Sequence, residues 1–258
     1  YPPVVPLLAG ALVAVFGLVD GISLLGSLAA AMPAVGIYVA LRFLGLRLGA
    51  FIPGLLLLGA SSVGEATAWG GFPQLIGFGL TPIVLVAVDR WLRSWSNGAA
   101  LTAGALYALV MAVSHFVALT VAIAIVAMVL MAVASPSCDT WDWRRRARSL
   151  AVFVVPLLPL FPLYLTLGKA YFGTEQSITR AGQFAWSELV DQIEFLYRAF
   201  PWLWRTAFTA ALVAPVLALS RRETPLWRML SSLLIAVVAM TVLSREGRFL
   251  YFMTVVAG

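Results

Sequence analysis

Apolar runs long enough to cross a bilayer recur from one end of the chain to the other, parted by short polar breaks. A helical crossing needs about 17–25 apolar residues to span roughly 30 Å of hydrocarbon. The pattern predicts eight full crossings, at 22–41, 47–63, 75–92, 99–114, 117–134, 149–167, 202–219 and 228–243. A shorter apolar segment, 4–19, precedes them, and a ninth crossing begins near 249. The run from Ala99 to Ala134 exceeds one span, and "SHF" at 114–116 is its only polar break, which predicts a tight helical hairpin. Two early prolines and a "VDG" break shorten segment 4–19. It is expected as a partly embedded helix that starts and ends on the outer side of the membrane, with a full crossing as the alternative.

The largest polar stretch is 168–202. Phe184, Leu189, Ile193, Leu196, Tyr197 and Phe200 follow helical spacing within it, and Ser187 with Glu188 and Asp191 forms a helix-start pattern. This helix is expected to lie in the membrane interface, anchored by its aromatic residues. The reading is an all-α, polytopic helical membrane protein with a single transmembrane domain over 1–258. No internal repeat of the transporter kind is visible, nor an intramembrane chain of acids.

Composition agrees: 62% of residues are hydrophobic and only 11% charged, where a soluble domain carries about 25% charged residues. The net charge of +6 does not point to nucleic acid, because the basic residues sit in short clusters between apolar runs rather than in a stripe. Those clusters set the sidedness. Arg42, Arg47, Arg90, Arg93, the "WRRRARS" of 143–149, Arg221, Arg222 and Arg228 place eleven of the seventeen basic residues on one set of loops. That set carries only four of the eleven acids, so it is assigned to the cytoplasm. "GEATAWGGFPQ" (64–74), His115, the 168–201 loop and "REGR" (245–248) then face outward. A single cysteine, Cys138, excludes an internal disulfide and a cysteine-based metal cluster. The chain starts at Tyr1 and stops inside the apolar "FLYFMTVVAG", so both ends are read as cuts in a longer protein.

Two stretches together resemble membrane glycosyltransferases of the GT-C type. "YPPVVPLLAGALVAVFGLVDGISLLGSLAAAMPAVGIYVALRFLG" resembles the segment after the first outer loop of that class. "GEATAWGGFPQLIGFGLTPIVLVAVDRWLR" resembles a later outer loop and helix of bacterial and archaeal members, and "SH" and "REGRFLYF" have counterparts there. The resemblance implies a transferase in the plasma (inner) membrane that takes a sugar from a polyprenyl-phosphate carrier and passes it to an acceptor at the extracytoplasmic face. The family's catalytic or metal-binding carboxylate lies in the first outer loop, which falls before Tyr1. No catalytic residue or metal ligand is therefore assigned here, and any divalent metal would use residues outside this sequence. Tyr1 stands where the family often has a phosphate-contacting Lys.

The candidate substrate-binding residues are Glu65, Trp69, Gln74, His115, Arg245 and Arg248. Trp69 can stack on a sugar face and Glu65 can orient hydroxyls, or the two can be an interfacial anchor beside a solvated acid. Gln74 opens the next helix towards the same cavity. His115, the only histidine, is either a hydrogen-bonded helix-end residue or a phosphate and proton partner. Arg245 and Arg248 share a helix face and form a fork suited to phosphate, or else snorkel at a helix end. Lys169 and Arg180 are weaker candidates of the same kind, and "RRRAR" is read as a topology signal or an anionic-lipid contact. The expected partners are a lipid-linked sugar donor and membrane lipids. A non-catalytic subunit packed among other membrane subunits is the alternative.

Overall fold

The computed structural model describes residues 2–45, 71–133, 143–172, 225, 228–233, 235 and 236, with the backbone alone for 167–172. Every regular element among them is helical: α1 (Val4–Phe16), α2 (Leu18–Phe43), α3 (Phe72–Ser94), α4 (Asn97–Val113), α5 (His115–Val133), α6 (Trp143–Val154), a 3-10 turn (Val155–Leu160) and α7 (Phe161–Phe172). Four helical stretches are long and apolar enough to cross a membrane: Leu18–Phe43, Phe72–Ser94, His115–Val133 and Trp143–Thr166. The chain is therefore a helical membrane protein. The crossings read at 47–63 and 202–219, most of 228–243, the start near 249 and the interfacial helix lie outside the described residues.

Helix α1 has 13 residues, hence a length of about 20 Å, short of a bilayer core. It ends at Gly17, whose φ of +82° is open to glycine and strained for other residues. The break expected at "VDG" is thus displaced. Asp20 sits in the first turn of α2, and Gly21 lies beneath the backbone of Leu12 and Val13, where an added Cβ would stand 2.8 Å from the chain.

Helix α3 is the centre of the bundle. Leu75, Val84, Leu85, Val88 and Trp91 are fully buried along it, packed with Ala29 of α2, Val110 of α4, Val117, Val121 and Ala124 of α5 and Phe153 of α6. Where α2 crosses α3, two glycines let the backbones meet: a Cβ on Gly36 would fall on the Gly79 carbonyl oxygen, and one on Gly79 would fall on the Met32 carbonyl. Gly104 of α4 meets the Phe153 carbonyl in the same way. Lipid tails are as apolar as leucine, so helices in a membrane gain from close backbone approach more than from apolar burial. Leu101, Leu109, Leu119, Val126, Leu130 and Leu150 instead point outward, as a lipid-facing surface requires.

Two boundaries depart from the expectation. The arginine cluster is not a loop, since α6 begins at Trp143 and carries it in its first two turns. The helix continues beyond 167, so residues 168–172 belong to α7 rather than to a loop. Between α6 and α7, Pro156 and Pro159 remove backbone donors, and the chain tightens into a 3-10 turn there.

Candidate functional site

The predicted break at Ser114 is present. Ser114 is a single extended residue (φ −150°, ψ 118°) between α4 and α5, and its Oγ accepts the Val117 N–H at 3.5 Å. The Tyr107 hydroxyl donates to the Ala118 carbonyl at 3.1 Å across the break, tying the two helices together. His115 is the first residue of α5, half-buried, with its ring tilted against Phe116 at a centroid distance of 4.2 Å.

Gln74 lies in the first turn of α3, which opens at Phe72 with Gly71 as its cap and Pro73 in the positions where a missing N–H costs nothing. Phe72 and Ile76 pack against the cluster that includes Val113, and a Cβ on Gly77 would meet Val117, so Gln74 and His115 share one end of the bundle. Both are half-buried. An imidazole and a carboxamide there offer hydrogen bonds to hydroxyls or phosphate, and the imidazole can also carry a proton. Among the described residues no group of three or more His, Cys, Asp or Glu side chains could hold a metal ion. Glu65, Trp69, Arg245 and Arg248 lie outside the described residues, as does Arg180. Lys169 belongs to the last part of α7, residues 167–172, whose backbone alone is described.

About 22 Å along α3 from Gln74, at the other end of the bundle, stands a polar cluster that the sequence pattern does not single out. Asp89 is buried, with 7% of its side chain exposed. Its Oδ2 accepts Nε of Arg93 at 2.8 Å, and its Oδ1 lies 2.8 Å from Nη2 of Arg228. The Arg228 contact is an ion pair outside good hydrogen-bond geometry, and Nε of Arg228 is buried with no hydrogen-bond partner. Beside it, the indole of Trp91 stacks on Phe153 at 4.8 Å and donates to Ser149 Oγ at 3.2 Å. Arg145 Nη2 donates to the Ser94 carbonyl at 2.9 Å, and the Arg146 guanidinium carbon lies 5.0 Å over the Trp95 ring. The "DRWLR" stretch signals the Asp89–Arg93 pair through its i,i+4 spacing. No local pattern signals Arg228.

The two ends thus differ in chemistry. One carries Gln74, Ser114 and His115; the other gathers Asp89, Arg93, Arg145, Arg146 and Arg228 around two tryptophans. Comparison with known proteins adds no relative: no family model, no curated protein and no solved structure matches the chain.

Proposed function

We propose that this chain is part of a GT-C-like integral membrane glycosyltransferase of a bacterial or archaeal inner membrane. In this reading it has eight crossings and moves a sugar from a polyprenyl-phosphate carrier to an acceptor at the extracytoplasmic face. The observation that carries the reading is the polarity of the bundle. Among the described residues, the end assigned outward carries Gln74 and His115, while the arginines collect at the end assigned to the cytoplasm.

In this scheme Gln74 and His115 bind the polar part of the lipid-linked sugar beside Glu65 and Trp69. Arg245 and Arg248 neutralise the phosphate as the sugar leaves, where negative charge develops in the transfer. The base that activates the acceptor is not assigned to any residue of this sequence.

The test is turnover of radiolabelled polyprenyl-phosphate sugars by the full natural protein in liposomes. Transfer to an acceptor is expected, with Arg248→Ala slowing it by about a hundredfold or more, the range of losing a group that acts on developing charge, and Glu65→Ala slowing it through lost contact with the sugar hydroxyls. Normal rates in both variants would remove the site assignment. No turnover of any lipid-linked sugar would remove the enzyme reading and favour a non-catalytic subunit, which a stoichiometric co-purifying partner would identify.

A further inference from the structure

The four arginines of α6 divide into two pairs. Arg145 and Arg146 lie towards the face that buries Ser149 and Phe153, and both are held against the end of α3, by the Ser94 carbonyl and by the Trp95 ring. Arg144 and Arg148 lie on a different face. They are exposed, four residues apart, and unpaired with any acid among the described residues.

Beyond Arg144 and Arg148 that face turns apolar: Ala151 is exposed, and Val155 is 54% exposed. On the adjoining face Trp143 is 62% exposed and is succeeded by exposed Leu150 and Val154. Within two turns the outer surface of this helix passes from tryptophan and arginine to uninterrupted hydrocarbon-compatible side chains. That succession of surfaces marks the level of the lipid headgroups. A guanidinium there is costly against hydrocarbon and well matched to phosphate, which it can grip with two parallel hydrogen bonds.

We propose that Arg144 and Arg148, flanked by Trp143, form a binding surface for the headgroups of acidic phospholipids. The Arg145 and Arg146 contacts hold the helix so that this pair faces the bilayer. The inference rests on α6 and its contacts with the end of α3, and is independent of any sugar transfer.

Binding is read by native mass spectrometry and by thermal unfolding of the full chain, in phosphatidylcholine nanodiscs with and without phosphatidylglycerol. Phosphatidylglycerol is expected to bind and to raise the Tm. Each of Arg144→Gln and Arg148→Gln should weaken that binding about fivefold, since an arginine near an anionic surface contributes about 1 kcal/mol. In pure phosphatidylcholine the double variant should unfold at the Tm of the parent. By contrast, Arg145→Gln should lower the Tm in both lipids, because it loosens the helix from α3. Undiminished phosphatidylglycerol binding by the double variant would overturn the proposal, and so would equal effects of the two lipids. Reproduction of the effect by inorganic phosphate would overturn the lipid as its source.

Discussion

Asp89 and Arg228, far apart in the chain, meet at one end of the bundle with 2.8 Å between Oδ1 and Nη2. The carboxylate is buried and also holds Arg93, so it joins the end of α3 to the late segment around 228–236. Removing one partner of a buried ion pair strands the other charge, at about 3–5 kcal/mol. Here the arginines keep 47% and 20% side-chain exposure, so water softens the loss. Asp89→Ala should therefore destabilise by about 2–3 kcal/mol in detergent-solubilised protein, monitored by thermal unfolding. Asp89→Asn, which keeps an acceptor for the arginines but not the charge, should cost less than Asp89→Ala. A variant Asp89→Ala with the parent Tm would show that the pair holds nothing.

The α2–α3 crossing makes a sharper demand. Because a Cβ on Gly36 would land on a backbone oxygen rather than on a movable side chain, the helices must separate to admit it. Gly36→Ala is expected to cost about 1–3 kcal/mol, the range for overpacking, at the upper end because backbone meets backbone. Gly10→Ala is the control, with nothing within 4 Å of its added methyl group. Equal melting of the two variants would refute the close approach.

Trp91 allows its stacking and its hydrogen bond to be separated. Trp91→Phe keeps an aromatic ring against Phe153 but deprives Ser149 of its donor, at about 1 kcal/mol. Trp91→Ala also empties a fully buried site and should cost about 3–5 kcal/mol. The ordering parent, Phe, Ala in thermal unfolding checks the geometry; Phe as damaging as Ala would mean that the hydrogen bond dominates.

Labelling reads the sidedness. In a Cys138→Ser background, Gly98→Cys sits in the exposed first turn of α4, beside the arginine cluster. It should react with a membrane-impermeant maleimide only after cells are opened. Glu65→Cys should react in intact cells. The reverse pattern would invert the orientation and move the proposed sugar site to the cytoplasm.

The helices α2, α3, α4 and α5 are legible in the chain to within about one turn, because span length and apolarity depend on local composition alone. Ser114 is legible too, as the one polar interruption in an overlong run. Gly17 is not. Gly17 and Gly21 are both candidates for the end of α1, and only packing separates them: Gly17 takes the positive φ, and Gly21 makes room for the Leu12–Val13 backbone. The start of α6 is hidden for a related reason. A run of arginines has the polarity of a loop, but Trp95, Ser94 and Trp91 supply partners that hold it as helix.

By itself, then, the sequence determined that this is a helical membrane protein, where several of its helices lie, and between which apolar runs the positive charge collects. These properties are sums over neighbouring residues, and hydrophobic transfer acts on each segment without reference to the others. Tertiary structure alone decided which glycines serve as contact surfaces, which arginines turn inward, and that the single carboxylate of Asp89 is shared between Arg93 and Arg228. A hydrogen bond, an ion pair or a backbone contact exists only at a separation of a few ångströms, and the packing of distant segments sets that separation.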